Sequence, residues 1–398
     1  MRPRTLAAAT VALVAVLAIT APFFRSYTRS AALIVRMAGL EGPLQDALEW
    51  EREPVAAHDA LVPSRHGTLR ARLYIPGHVR RAIVLVAGVN ALGIDEPRLY
   101  GLAHELASVG YAVLTPELPD LQQYDITART TDMIEDAAVW LSGQPRLARD
   151  QRVGLVGISF AGGLAIVAAG RPSLRGRAAF VFSFGGHSSF PRVLRFLCTG
   201  MELTPPGPPG PGAATTAVPA EQYLRPHDYG VVIVLLGLAD RVVPAGQAAP
   251  LRAAILTYLR ASHYDLIDKR RAALTFAEAR RMAEALPEPA RTFMQQVNDR
   301  AVDRLGAALL PLTAGAGQEP ALSPDQSPAP LCPVYILHGS EDNVVPAVES
   351  VWLSRYLHGR APVRTLLSQV ITHAELNSRH DWREIWQLVD FFASLLRE

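Results

Sequence analysis

Cysteine is scarce in this chain of 398 residues, which contains only Cys198 and Cys332, far apart in the sequence. Neither C-x-x-C nor H-E-x-x-H, spacings typical of redox dithiols and zinc sites, occurs anywhere. We therefore predict no metal site. A disulfide between the two cysteines would need an oxidising compartment, and two separate buried thiols are the favoured interpretation.

Lysine is also scarce: Lys269 is the only one, and the other basic residues are arginines. Basic and acidic side chains number 39 and 37, which leaves a formal net charge of +2. Without concentrated positive charge, nucleic acid is not an expected partner. A hydrophobic fraction of 49% and a charged fraction of 19% are typical of a globular protein with a large core.

One long apolar stretch stands apart from the rest, because residues 5–24 carry no charge. As a helix, such a stretch spans roughly 30 Å, the thickness of a bilayer core. We predict a membrane anchor over 1–24, with the main domain outside the cytoplasm. The alternative is a cleaved signal peptide, which would give a secreted or periplasmic protein. Residues 25–48 are predicted to be a membrane-proximal segment, in which 30–40 form either a surface helix or the start of the fold.

Short apolar runs alternate with helical patterns along the next part of the chain. The runs end at glycine or polar residues and have the length of buried strands: 82–87, 111–115, 153–158 and 178–184. This alternation predicts an α/β protein with a mostly parallel central sheet flanked by helices on both faces.

The alternation is interrupted between residues 191 and 330. A proline- and glycine-rich stretch at 204–219 and a second at 311–330 enclose a helical pattern from about 245 to 310. We predict a helical cap insertion over 191–330 that divides a core of 49–190 and 331–398. Within it, the apolar run Val231–Leu236 fits either a strand or a buried helix.

The strongest local motif is Gly157-Ile158-Ser159-Phe160-Ala161-Gly162-Gly163, between a predicted strand and a helix of small residues. A serine at such a corner is forced into a strained conformation, and its hydroxyl projects from the sheet. Small residues on both sides are needed because the turn is tight. The following helix directs its first amide groups toward the same point.

On this motif the chain resembles the α/β-hydrolase superfamily, over roughly residues 50–190 and 331–398. The resemblance implies the α/β-hydrolase fold and a catalytic triad in the chain order serine, acid, histidine. Ser159 matches the nucleophile. His338-Gly-Ser-Glu-Asp342-Asn-Val-Val-Pro346 matches the acid loop, and His373 lies where the family places its histidine. No cofactor is implied.

Other residues compete for two of these roles. Asp240 lies in Gly237-Leu-Ala-Asp240-Arg-Val-Val-Pro244, which imitates the acid loop, and Glu341 adjoins Asp342. His380 competes with His373, but it falls in the first turn of a predicted helix. His187 follows a predicted strand, and a surface loop is its favoured location.

The resemblance also assigns the oxyanion hole to the backbone N–H groups of Phe160 and Val89. Two residues depart from the family pattern. Ala87 stands where a histidine usually supports the oxyanion loop, and Ala161 replaces the last glycine of the corner. The expected activity is that of a serine hydrolase acting on a small-molecule ester or related acyl compound. The alternatives are an acyltransferase or peptidase on the same fold, and a non-catalytic protein that binds a lipid or a partner.

Overall fold

A computed structural model describes residues 24–37, 52–205, 222–369, 371–372, 375–376 and 382–398. Among these residues the strands are β1 (Val55–Ser64), β2 (Gly67–Pro76), β3 (Arg81–Val86), β4 (Tyr111–Pro116), β5 (Val153–Ile158), β6 (Ala178–Phe184), β7 (Val334–Gly339), β8 (Val363–Ser368), β9 (Ile371–Thr372) and β10 (Glu375–Leu376). The described helices of the core are α1 (24–37), α2 (Pro97–Ser108), α3 (Pro119–Gln122), α4 (Ala128–Ser142) and α5 (Phe160–Ala169). They continue with α6 (Phe190–Thr199), α7 (Asp228–Gly237), α8 (Ala239–Val242), α9 (Ala245–Ile267), α10 (Lys269–Ala285), α11 (Ala290–Asn298), α12 (Val302–Leu309), α13 (Val348–Leu357) and α14 (Trp382–Leu395).

The first eight strands form one sheet in the order β1-β2-β4-β3-β5-β6-β7-β8. Strand β2 runs antiparallel to both β1 and β4, and the remaining pairs are parallel. The crossover order, the helices between the parallel strands and the serine corner after β5 are those of the α/β-hydrolase fold. The predicted fold class is therefore confirmed.

Both faces of the sheet are buried at strands β3 to β7, which explains why these strands are largely apolar runs. In β3, Val84 and Val86 face a core built with α4, α5 and α13, whereas Ile83 and Leu85 face α1, α2 and α14. Successive side chains of a strand point to opposite faces, so a strand covered on both sides needs apolar residues at every position.

Helix α1 belongs to the folded core. Leu33 is fully buried, the Ser30 hydroxyl donates a hydrogen bond to the Val389 carbonyl oxygen (2.6 Å), and Arg36 forms an ion pair with Glu105. The described part of the segment therefore packs on the core. The predicted anchor, apart from Phe24, lies outside them; among those described, no helix is long and apolar enough to cross a membrane.

The described part of the insertion is largely helical, and its apolar side is continuous with the core. Val231–Leu236 lies in α7, and so is a buried helix, because its side chains are covered all round by α6, α9 and α12. Cys198 and Cys332 are both buried free thiols, as the favoured interpretation predicted.

A buried carboxylate joins the insertion to the core at the start of α6. Glu349 of α13 is fully buried and accepts hydrogen bonds from the N–H groups of Ser188 and Ser189 (both 2.9 Å) and from the Arg192 guanidinium. The carboxylate therefore satisfies amides next to the start of α6 and pairs with a cation of that helix. The Asp325 carboxylate also lies near this guanidinium, with 3.7 Å between Oδ2 of Asp325 and Nη1 of Arg192.

We expect Asp325→Asn to change how stability depends on pH. Burial raises the pKa of Asp325 to about 6, although Arg192 acts in the opposite direction. Between about pH 4 and pH 6 this carboxyl is protonated in the folded state and ionised in the unfolded chain. The contribution of the group to the free energy of unfolding therefore rises as the pH falls through that window. The melting temperature of the parent should rise relative to that of the variant between about pH 7.5 and pH 5.

Asp59→Asn is the matched control, since 72% of that side chain is exposed. A melting-temperature difference between parent and Asp325→Asn that is the same at every pH would contradict this expectation.

Candidate active site

Ser159 is the single residue between β5 and α5, and its backbone has φ 56° and ψ −134°. This region of backbone space strains any residue other than glycine, by about 1–3 kcal/mol. Its own N–H donates to the Phe184 carbonyl oxygen (2.7 Å), and its carbonyl oxygen accepts from the Gly162 N–H (2.8 Å). The chain thus reverses within one residue, and neighbouring strand and helix hold it there.

The small residues around Ser159 are required by contact. A Cβ on Gly157 would lie 2.2 Å from the Ala161 carbonyl oxygen, so only glycine is accommodated two residues before the serine. Ala161, the departure from the family pattern in this corner, is fully buried.

Gly162 and Gly163 allow α5 to pack closely on the loop after β6. A Cβ on Gly163 would come within 2.6 Å of the His187 ring, and this ring is fully buried. The expected surface location of His187 is wrong. Its Nε2–H donates to the Leu322 carbonyl oxygen (2.7 Å), and its ring packs against Phe160 and Phe190 at centroid distances of 5.6 and 5.8 Å. Burial lowers the pKa of His187, which favours the neutral ring.

Phe160 and Val89, the two residues predicted to supply the oxyanion donors, both lie beside Ser159. Phe160 is the first residue of α5, where the N–H groups have no partner within the helix. The loop after β3 is close as well, since a Cβ on Gly88 would lie 3.2 Å from the Ser159 Cβ. Within this loop, the Asn90 side chain donates to the Gly88 carbonyl oxygen (3.1 Å) and accepts from the Leu92 N–H (3.0 Å).

Asp342 follows β7 and is almost fully buried. One carboxylate oxygen, Oδ1, accepts hydrogen bonds from the N–H groups of Val344 (2.9 Å) and Val345 (3.1 Å). The other oxygen, Oδ2, lies 3.3 Å from Nε2 of His338. His338 is itself held between the Val345 carbonyl oxygen and the Ser350 hydroxyl (2.8 and 2.6 Å), so the whole acid loop is rigidly supported.

The end of β6 brings the serine and the acid together. The Phe184 carbonyl oxygen accepts from the N–H of Ser159, and a Cβ on the next residue, Gly185, would lie 3.5 Å from Oδ2 of Asp342. Parallel strands end at the same edge of a sheet, and ligand and catalytic sites of open α/β sheets lie at that edge. Ser159 and Asp342 are therefore neighbours at the carboxyl edge of β5, β6 and β7.

The competing residues are placed differently. Asp240 lies in α8 of the insertion, not after a strand of the sheet; its carboxylate is 69% exposed and pairs with Arg252 (2.5 Å). Glu341 is exposed beside the buried Asp342. His373 and His380 both lie outside the described residues, so the histidine of the predicted triad remains a prediction.

Three side chains near the site escape motif analysis. Asn90 holds the loop after β3, and Tyr229 of α7 donates from its hydroxyl to the Val89 carbonyl oxygen (2.7 Å). Glu202 follows α6, and burial raises the pKa of its carboxyl, with His338 acting in the opposite direction. Asn90 carries a weak signal, as a turn former four residues after the end of β3. Tyr229 and Glu202 carry none, because their positions depend on the path of the insertion.

No cluster that could hold a metal ion occurs among the residues that the structure describes. A cleft of about 660 Å³ lies at the opposite edge of the sheet, before β3 and β5, where its lining includes His78, Arg146 and Arg149. It is remote from Ser159 and is not part of the candidate site.

Comparisons with known proteins found likeness at the level of solved structures. No family model matches the sequence, and no curated protein matches it. An esterase of Pyrobaculum calidifontis is 13% identical, with 93% of this chain and 90% of that chain covered and a TM-score of 0.44. Brefeldin A esterase, described as a bacterial homologue of human hormone-sensitive lipase, is 13% identical over 93% of this chain and 83% of its own (TM-score 0.44). Pyrococcus horikoshii acylaminoacyl peptidase is 12% identical, with 89% of this chain and 43% of that chain covered (TM-score 0.43). The assignment of the fold rests on the strand order and not on these scores.

We expect Ser159→Gly to be more stable than Ser159→Ala. Both substitutions remove the hydroxyl, but only glycine adopts φ 56° without strain, so its free energy of unfolding should be higher by about 1 kcal/mol. Urea denaturation of the two variants measures the difference. The control pair is Ser354→Gly and Ser354→Ala in α13, where the order should reverse because glycine weakens a helix by about 1 kcal/mol. An alanine variant at position 159 as stable as the glycine variant would show that the corner is unstrained.

Proposed function

We propose that the protein is a serine hydrolase that cleaves an ester or related acyl bond of a small molecule. The observation that carries the proposal is the strained backbone of Ser159, buried at the carboxyl edge of the sheet. Strain of this kind is costly and is commonly retained at active sites, where it fixes a reacting group in place. The adjacent start of α5 and the buried Asp342 supply what a nucleophilic serine needs around it.

In this proposal His373 accepts the proton of the Ser159 hydroxyl as Oγ bonds to the acyl carbon. The carbonyl oxygen takes up the negative charge between the N–H groups of Phe160 and Val89. The intermediate then collapses, the bond to the leaving alcohol breaks, and His373 returns the proton to that alcohol. Water repeats the sequence on the acyl-enzyme, releasing the acid and restoring Ser159. No cofactor takes part.

Asp342 would orient His373 and stabilise it when it is charged. Its Oδ1 accepts hydrogen bonds from two backbone N–H groups, and its Oδ2 faces Gly185 at the sheet edge. A carboxylate held in one orientation can fix the tautomer of an imidazole, which supports this role.

We also propose that residues 1–24 attach the protein to a membrane, with the main domain outside the cytoplasm.

We expect a fluorophosphonate probe to label the parent at Ser159 and to leave Ser159→Ala unlabelled, because only an activated hydroxyl displaces fluoride from phosphorus. The experiment uses the full-length protein in detergent, with mass spectrometry of the labelled peptide. Circular dichroism melts of both proteins establish that each is folded. A folded parent that reacts with neither the probe nor short-chain nitrophenyl esters would contradict the proposal and favour a binding protein instead.

We expect Asp342→Asn to lower kcat by roughly 10³–10⁴-fold on any ester that the parent hydrolyses, since the imidazole loses its orienting charge. Asp240→Asn is the matched control and should retain parental kcat, because its carboxylate is an exposed group of α8. Steady-state kinetics distinguishes the two aspartates. If Asp240→Asn is the inactive variant, the assignment of the acid is wrong.

A further inference from the structure

The chain enters α7 through a segment that contacts two catalytic loops at once. We call residues 225–229 the bridging segment. The N–H of His227 donates to the Asn343 carbonyl oxygen (2.8 Å), and the Asn343 side chain donates to the Arg225 carbonyl oxygen (3.3 Å). Asn343 adjoins Asp342. At the other end of the segment, the Tyr229 hydroxyl donates to the Val89 carbonyl oxygen (2.7 Å).

These contacts hold both peptide planes that flank Val89. The Gly88 carbonyl oxygen accepts from Asn90 and the Val89 carbonyl oxygen accepts from Tyr229. In a trans peptide the C=O and N–H groups point in opposite directions. The hydrogen bond to the Gly88 carbonyl oxygen therefore sets the direction of the Val89 N–H, which belongs to the same peptide plane. The hydrogen bond to the Val89 carbonyl oxygen holds the next peptide plane, so that the two planes do not rotate together.

Tyr229 is well suited to this contact. Its ring packs edge-on against Tyr124 of the core, with centroids 5.9 Å apart. Burial and the nearby Tyr124 raise the pKa of Tyr229 well above its ordinary value, so the hydroxyl keeps the proton that it donates. The preceding Asp228 is buried and accepts a hydrogen bond from the Tyr258 hydroxyl of α9 (2.5 Å), which anchors the bridging segment within the insertion.

We propose that Tyr229 is a positioning residue for the oxyanion loop, and that the helical insertion is thereby part of the catalytic machinery of the core. The inference rests on the proposed function. Ala87 stands where the family pattern has a supporting histidine, and the loop receives its support from the insertion instead. The peptide plane that follows Val89 is then held only while the start of α7 is docked on the core.

The test is Tyr229→Phe in the full-length protein, because phenylalanine keeps the ring packing and removes only the hydrogen bond. We expect the second-order rate constant for fluorophosphonate labelling and kcat for an ester to fall about tenfold, with KM changed less than twofold. The affinity for a trifluoromethyl ketone, which forms a tetrahedral adduct with the serine, should fall by the same factor as kcat/KM. A merely structural role would not link these two quantities.

Tyr223→Phe is the matched control, since it removes a half-exposed tyrosine hydroxyl of the insertion that makes only a 3.4 Å contact with Asp303. It should retain parental kinetics. Parental values of kcat and ketone affinity in Tyr229→Phe would overturn the inference.

Amide hydrogen exchange gives a readout that does not depend on catalysis. Tyr229→Phe should speed exchange in a peptide covering residues 87–92 and leave the peptide around Asp342 unchanged, because Asn343 is held by other atoms of the bridging segment. If the parent proves inert toward esters and probe, the proposed function fails, and the exchange data still decide whether Tyr229 holds the loop. Unchanged exchange at residues 87–92 would overturn the contact itself.

Discussion

The architecture of the site depends on one constraint, the reversal of the chain at Ser159 within a single residue. A φ of 56° is unfavourable for serine, so β5 and α5 must be held firmly on both sides for the conformation to persist. The sheet supplies this through the bond from the Ser159 N–H to the Phe184 carbonyl oxygen. The same carbonyl stands one residue before Gly185, which adjoins Asp342. The end of β6 therefore both holds the strained backbone of Ser159 and lies next to Asp342.

Much of the core follows from local physical chemistry. Strands buried on both faces require uninterrupted apolar runs, and glycine at a tight corner is dictated by a 2.2 Å approach, so both leave a clear trace in the sequence. The order of the motif-bearing loops then brings Ser159 and Asp342 to one edge. Asp240 illustrates the limit of this reasoning, because its loop imitates that of Asp342 while it lies after a helix.

What the sequence does not reveal is set by long-range contacts. Val231–Leu236 is apolar at every position, so its periodicity is the same for a buried helix and a buried strand, and only packing by other cap helices selects the helix. His187 has polar and small neighbours typical of a surface loop, yet α5 and Phe190 enclose it. Tyr229 reaches Val89 from 140 positions away in the chain. Such contacts carry no local signature.

The insertion is attached to the core at several points. Glu349 binds the residues that begin α6, and the bridging segment contacts the loops of Val89 and Asp342. Both attachments are made near the amino end of a cap helix: α13 of the core binds the start of α6, and the loops of Val89 and Asp342 bind the start of α7. A movement of the insertion away from the core would break these bonds together. Docking of the insertion and the position of the loop that contains Val89 are consequently coupled.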